Sequence, residues 1–177
     1  DLARFDSIRD MAADLMEILR CMLRTPAERY TLADEAKILE AYIHIMEVRY
    51  SGSFSFRCAF SPESLACRLP KLLLQPLVEN AIIHGIETGG KVSIRVYERE
   101  EDGGCWLEVS DNGAGMDEEQ LKRLRDGTTE MRMDHRSIGV ENVNKRIRLY
   151  YGEEFGLMIE SRLGEGTVIR FCIPGNS

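Results

Sequence analysis

The sequence predicts an α/β protein, a two-layer α/β sandwich with a mixed sheet and its helices on one face, preceded by a helical hairpin. Two observations predict it. Apolar residues recur at helical spacing up to about residue 50, and at Ser53 the pattern switches to period two. From there the segments run strand, helix, two strands, helix, polar loop, helix, two strands, an order that stacks helices on a sheet.

The first helix is carried by Ile8, Met11, Ala12, Leu15, Ile18, Leu19, Met22 and Leu23, which form one apolar stripe, and Pro26 ends it. Thr31-Leu32-Ala33-Asp34 reads as a capping box opening a second helix to about Tyr50, where Gly52 supplies a stop. Its stripe includes Leu32, Ala36, Leu39, Ile43 and Tyr50. A hairpin cannot bury both stripes alone, so they pack either on the chain's own domain or on a second copy.

Phe54, Phe56, Cys58 and Phe60 alternate with smaller or polar residues and predict a strand. Leu69 to Ile86 is apolar and helical, with Pro70 in its first turn, Gly85 near its end, and Pro76 placed to kink or restart it. Val92 to Val96 and Trp106 to Val109 flank a turn at Glu101-Asp102-Gly103-Gly104 and predict a hairpin. Asp117 to Asp126 predicts a short polar helix, Gly127 to Arg136 a mobile loop, and Gly139 to Tyr151 a helix stopped by Gly152. Leu157 to Glu160 and Val168 to Ile173 close the chain as a strand pair around Gly164-Glu165-Gly166.

A chain of 177 residues suits one domain with a helical extension, divided here at 1–52 and 53–177. Its 44% hydrophobic and 30% charged residues fit a soluble globular protein. A formal net charge of −7, with no basic stripe, excludes a nucleic-acid binder. The five cysteines are dispersed with no C-x-x-C spacing, which fits reduced thiols; Cys58 and Cys172 are expected to be buried as small hydrophobes. No apolar stretch approaches a membrane span, and Asp1-Leu2-Ala3-Arg4 resembles no signal peptide and lacks a Met, so the chain reads as a piece of a longer protein.

Chemistry concentrates first at Asp111-Asn112-Gly113-Ala114-Gly115-Met116, directly after a strand. A carboxylate at a strand end can accept a hydrogen bond from an exocyclic amine such as adenine's, and the glycines let backbone approach a ligand closely. Such a string also occurs in plain turns; a calcium loop needs more oxygen ligands than this one offers. The second string is Leu74-Gln75-Pro76-Leu77-Val78-Glu79-Asn80-Ala81-Ile82-Ile83-His84-Gly85. Asn80 interrupts an apolar helix face, either as a capped or solvent-facing amide or as an oxygen ligand holding Mg²⁺ against phosphates.

Together these strings resemble the N-box and first glycine box of the GHKL ATP-binding superfamily, more narrowly of LytS/YesM-like sensor histidine kinases. Ser137-Ile138-Gly139-Val140-Glu141-Asn142-Val143-Asn144-Lys145-Arg146 resembles the next glycine box, and Gly164-Glu165-Gly166-Thr167 the last. The resemblance covers Leu69 to Pro174 and implies a Bergerat-type ATP-binding fold. It further implies that Asp111 binds the adenine amine, that Gly113, Gly115 and Met116 shape the pocket, and that His84 lines it one helical turn beyond the Mg²⁺ ligand Asn80. Ser137, Gly139, Val140 and the amides opening their helix would meet the phosphates, Thr167 would sit near the adenine, and Gly127 to Arg136 would be the ATP lid. Two residues depart from the pattern: Ile83 replaces a frequent Lys or Arg, and Ser137 replaces a frequent glycine.

ATP-hydrolysing relatives carry a general base four residues before the Asn, where this chain has Pro76; Glu79 is rotated about a quarter-turn away from Asn80. That points to phosphoryl transfer and not to hydrolysis. His84 belongs to the pocket, His135 to the lid, and His44 is read as structural. The resembled subgroup carries its acceptor just before a segment like Phe5-Asp6-Ser7-Ile8-Arg9, which would put the acceptor upstream of Asp1. The resemblance thus implies the ATP- and Mg²⁺-dependent catalytic domain of a two-component histidine kinase. A response regulator would be its partner, the full-length protein a homodimer, and this segment the cytoplasmic part of a membrane-anchored sensor without membrane contact of its own. A nucleotide-binding but catalytically weak dimerisation module, suggested by Ile83 and Ser137, and an anti-sigma-type serine kinase, which would not need the hairpin, are the competing readings.

Overall fold

The computed structural model describes residues 2–23, 30–87, 91–101, 104–126 and 135–174. Two long helices, α1 (Leu2–Leu23) and α2 (Leu32–Arg49), lie against each other. The Asp34 carboxylate accepts from the backbone N–H and the hydroxyl of Thr31, each at 3.0 Å, so the expected cap starts α2. His44 on α2 meets Asp14 on α1 at 2.5 Å, which gives His44 a structural contact.

The sheet has five strands, β1 (Phe54–Ala59), β2 (Val92–Glu101), β3 (Gly104–Asp111), β4 (Met158–Arg162) and β5 (Gly166–Pro174), in the order β1-β2-β3-β5-β4. β1 pairs with β2 in parallel and all other pairings are antiparallel, so the sheet is mixed as expected. Four further helices complete the chain: α3 (Pro62–Leu65), α4 (Leu74–Glu87), α5 (Glu118–Asp126) and α6 (His135–Tyr151). One sheet face supplies Ile94, Val96, Leu107, Val109, Ile169, Phe171 and Ile173 to the core, and α4 packs across β1, β2 and β3. The strands alternate because successive side chains leave opposite faces. Glu108 faces the other way, nearly buried, and is held by Arg99 at 3.0 Å, Arg170 at 2.6 Å and the Tyr97 hydroxyl.

Several expectations need correction. The helix expected from Leu69 begins at Leu74, and Leu72 in the irregular segment before it has φ 57°. Pro76 therefore falls in the first turn of α4, where its missing N–H has no intrahelical partner to lose, and it causes no interior break. The short helix α3, capped by the Ser61 hydroxyl, had no apolar period to reveal it. Cys58 is exposed on the edge strand β1, and Cys172 is half-buried on the polar face of the sheet. On α2 burial extends to Glu35, Ile38, Ala41 and Met46, so α2 shares one core with the sheet. Among the described side chains of α1, Ile18 and Cys21 are buried, whereas Leu15 (53%), Met16 (63%) and Leu23 (81%) are exposed. The mobile loop expected over Gly127–Arg136 lies outside the described residues from 127 to 134, and the turn residues 102 and 103 lie outside them too.

Candidate functional site

Four segments converge beside the Asp111 end of β3. Asp111 pairs with Thr167 across β3 and β5 and with Ile94 across β2, which fixes it at the sheet's end. Its carboxylate oxygen accepts from the Gly113 N–H at 2.8 Å, closing the tight turn that begins the glycine loop. The Thr167 N–H also reaches this carboxylate, and His84 on α4 lies close enough to act on its charge. Burial raises the Asp111 pKa, while the two amides and His84 oppose the rise.

The glycines explain themselves by what a side chain would strike. A Cβ on Gly113 would lie 2.9 Å from the Asp111 carboxylate and 3.2 Å from the Gly85 Cα. On Gly115, which has φ 63°, it would lie 1.9 Å from the carbonyl oxygen of Arg162. On Gly166, with φ 104°, it would lie 2.0 Å from the carbonyl oxygen of Asp111. The glycine loop and the β4–β5 turn thus meet backbone to backbone, joined by the Gly164 N–H donating to the Ala114 carbonyl at 2.6 Å. Ser161 ties them again: its hydroxyl accepts from the Met116 N–H at 2.9 Å, donates to the Gly166 carbonyl at 2.9 Å and sits 2.9 Å from the Thr167 hydroxyl. Sequence reasoning missed Ser161, since a Ser on a strand carries no signal, and it read Gly85 only as a helix stop.

Asn80 and His84 lie on one face of α4, a turn apart. Asn80 meets α6: a Cβ on Gly139 would be 3.2 Å from its Nδ2 and 3.7 Å from its Oδ1. The α6 helix starts at His135, so Gly139 stands in its second turn and does not open it, a correction to the boundary expected at Gly139. Glycine is tolerated inside this helix because it makes room for Asn80. The amides that open α6 are those of residues 135–138, which include Ser137, and free amides at a helix start favour anions. Val140 is buried and lines a groove of about 400 Å³ with Leu124, Arg125, Asn144 and Ile159, so its side chain turns into the packing between α5, α6 and β4. Met116 is half-buried and packs on the core.

The position four residues before Asn80 is Pro76, whose Cβ lies 3.8 Å from the place a Gly139 Cβ would take. Glu79 is directed toward α2: after burial, its charge is the main influence raising the Tyr42 pKa there. Among the described residues no cluster of three or more His, Cys, Asp and Glu could hold a metal ion by itself. The donor beside the start of α6, one carboxamide oxygen of Asn80, suits an ion that takes most of its ligands from phosphate and water.

Comparisons with known proteins bear on this constellation. Residues 68–177 match the family model described as histidine kinase-, DNA gyrase B-, and HSP90-like ATPase, and residues 2–54 match a histidine kinase model. The chain is 34% identical over 168 residues to the sensor histidine kinase YesM of Bacillus subtilis, covering 94% of this chain and 28% of that protein. It is 30% identical over 161 residues to the sensor protein kinase HptS of Staphylococcus aureus, covering 90% of this chain and 31% of that protein. The chain therefore spans less than a third of the length of these relatives. Its fold matches the histidine kinase domain of a blue-light activated histidine kinase from Erythrobacter litoralis with a TM-score of 0.60 at 16% identity, over 95% of this chain and 74% of the other. The catalytic domain of histidine kinase ThkA matches with a TM-score of 0.60 at 18% identity, over 83% of this chain and 95% of the other. No described helix is long and apolar enough to cross a membrane.

Proposed function

Because the chain belongs to the histidine kinase-, DNA gyrase B-, and HSP90-like ATPase family, we propose that it binds ATP with Mg²⁺ between α4, the glycine loop and α6, and delivers the γ-phosphoryl group to a histidine of the full-length sensor kinase. The observation that carries this reading is the convergence of Asn80, His84, Asp111, Gly139 and Thr167 from four separate segments, with glycine at each close approach. Asp111 accepts the adenine amine, since its carboxylate is held at the sheet's end by amides and keeps lone pairs for a further donor. Gly113 and Gly115 hold the loop low enough for a flat ring to lie over backbone. Met116 and Thr167 border that end, Ser137 and the other amides of the first turn of α6 face the phosphate end, and Gly139 makes room there for Asn80. When bound, Mg²⁺ supplies charge neutralisation for the phosphates, and Asn80 is the protein ligand that would hold it.

Pro76 supports transfer over hydrolysis. It offers no proton acceptor at the place where a base would activate water, and the Glu79 charge acts on Tyr42 of α2. The chain's contribution is positioning and charge stabilisation. Residues 1–52 then supply part of the dimerisation and acceptor region and residues 53–177 the catalytic domain. The exposed apolar face of α1 supports a homodimer of the full-length protein, and a response regulator follows as the onward acceptor.

The test is titration of the chain with ATP, with and without Mg²⁺, beside Asp111→Asn. Magnesium-dependent binding in the wild type that is lost in the folded variant is the expected result; equal binding by both would sink the assignment of Asp111. A longer chain including the upstream histidine should gain acid-labile label from γ-labelled ATP. Label on serine, or none, would overturn histidine transfer.

A further inference from the structure

Glu35 is fully buried in the first turn of α2 and is not used by the chemistry above. Its carboxylate accepts from the Tyr30 hydroxyl at 2.5 Å and from the backbone N–H groups of Leu72 at 3.0 Å, Leu74 at 2.8 Å and Gln75 at 3.4 Å. Two of these amides belong to the first turn of α4, whose donors have no intrahelical partner. The residue before that turn is Leu73, which has no side-chain acceptor, and the turn carries no acidic residue of its own. The cap of α4 therefore comes from α2, 39 residues earlier in the chain. The third amide is that of Leu72, held at φ 57°, a left-handed conformation that is unfavourable for a non-glycine residue. The Glu35 carboxylate stabilises that kink by accepting its N–H.

Other elements are tied to the same segment. Arg146 of α6 donates to the carbonyls of Lys71 at 2.5 Å and Leu72 at 3.2 Å. The Tyr151 hydroxyl of α6 donates to the Arg68 carbonyl at 3.0 Å, and Lys71 donates to the last turn of α1 at Met22 at 3.4 Å. α4 carries Asn80 and His84, and α6 carries Gly139 against Asn80. Asn80 is six residues beyond Leu74, a rise of only about 9 Å along a helix, so a shift of the first turn is felt at the amide.

We propose that Glu35 is a positioning residue for the nucleotide site: by capping α4 from α2 it sets where Asn80 and His84 stand, and it couples the helical pair to ATP binding. This rests on the nucleotide reading above. Glu35 touches neither ATP nor Mg²⁺ and acts through α4.

The experiment is Mg²⁺-ATP titration calorimetry on the chain and its Glu35→Ala, Glu35→Gln and Ile173→Ala variants, with thermal melts and amide hydrogen exchange. Ile173 is a core residue at the far end of β5 and reports loss of stability alone. Glu35→Ala should lose at least tenfold in Mg²⁺-ATP affinity, and Leu74 and Gln75 should exchange faster. Ile173→Ala should stay within twofold in affinity, and Glu35→Gln, which keeps one acceptor oxygen but turns an amide NH₂ on the remaining backbone N–H, should fall between Glu35→Ala and wild type. A folded Glu35→Ala that binds like wild type, or that loses no more than Ile173→Ala, overturns the proposal. Should Glu35→Ala not fold, Tyr30→Phe replaces it: about threefold weaker binding with faster Leu74 exchange is expected, and no change in either overturns the proposal. Failure of the wild-type chain to bind would refute the nucleotide reading, and the exchange of Leu74 and Gln75 would still decide whether Glu35 holds α4.

Discussion

Two stretches of the same strand pair, β3 with β5, are built on opposite terms. At Leu107 and Phe171, which face each other across the pair, side chains fill the space and both residues are fully buried. A few residues along, at Asp111 and Thr167, backbone meets backbone, and Gly115 and Gly166 stand where any Cβ would overlap a carbonyl. One stretch is held by apolar burial and the other by backbone packed directly on backbone. Changes at the packed stretch should therefore be read in stability, and changes at the open one in ligand affinity.

The largest expected effect lies on the packed side. Phe171→Ala removes a ring with no exposed surface and should cost about 3–5 kcal/mol in urea unfolding. The fraction that stays folded should bind Mg²⁺-ATP normally. A fall in its affinity comparable to that of Asp111→Asn would erase the distinction between the two stretches. Next comes Gly115→Ala on the open side. Its left-handed backbone costs about 1–2 kcal/mol with a Cβ present, and the loop must also retreat from the Arg162 carbonyl. Affinity should fall about tenfold, equivalent to about 1.4 kcal/mol, with a smaller change in melting temperature than in Phe171→Ala. Unchanged affinity would mean that this loop does not line the nucleotide.

The pH dependence sharpens the contrast within a single residue. Burial raises the Asp111 pKa above its ordinary 3.8. As pH falls through the raised value the carboxylate takes up a proton and becomes a poorer acceptor, so ATP affinity should start to drop at a pH above the ordinary aspartate range. Stability runs the other way. A raised carboxyl pKa means that the folded state holds the proton better than the unfolded one, so this residue's contribution is present below 3.8 and is lost as pH rises through the raised pKa. Asp111→Asn, which carries no titrating group there, should flatten the stability trend. Opposite slopes for affinity and stability in the wild type, absent from the variant, are the signature; parallel slopes would remove Asp111 from the binding site.

Much of the fold was legible because it follows from local rules. The switch from helical to period-two spacing at Ser53, the Thr31–Asp34 cap and the glycine turn at Gly164 each act within a few residues. The start of α4 was misread because its cap is not local: Leu69 to Leu74 is apolar enough to pass for helix, and only the distant Glu35 shows that the chain kinks at Leu72 first. Glu35 itself looked like an ordinary acidic residue favourable to a helix start. Cys58 was expected inside because its strand alternates, and it does share the core side of the sheet with Val96, but β1 is an edge strand whose cover runs out along its length, so Cys58 is exposed. At the site, Asp111, Asn80 and the glycines could be named from their strings, whereas Ser161 could not, since its role exists only once β4 and β5 are paired. The open side of α1 has the same cause: spacing gives a stripe but not the partner that covers it.

Gly139→Ala should have the smallest effect, and its two parts have opposite signs. Inside α6 an alanine gains about 1 kcal/mol of helix propensity over glycine. The added Cβ would sit 3.2 Å from Asn80 Nδ2, a contact that a side-chain amide relieves by moving a few tenths of an ångström. Overlap of that size is smaller than the propensity gain, so the melting temperature should rise slightly. The displaced group, however, is the one assigned to Mg²⁺. Mg²⁺-ATP affinity should therefore weaken about threefold while ATP affinity without Mg²⁺ stays the same. A loss of equal size in both conditions would place the damage in the packing of α4 on α6 and remove Asn80 from the metal, whereas a loss confined to Mg²⁺ would tie one amide to the ion by a change made on a different helix.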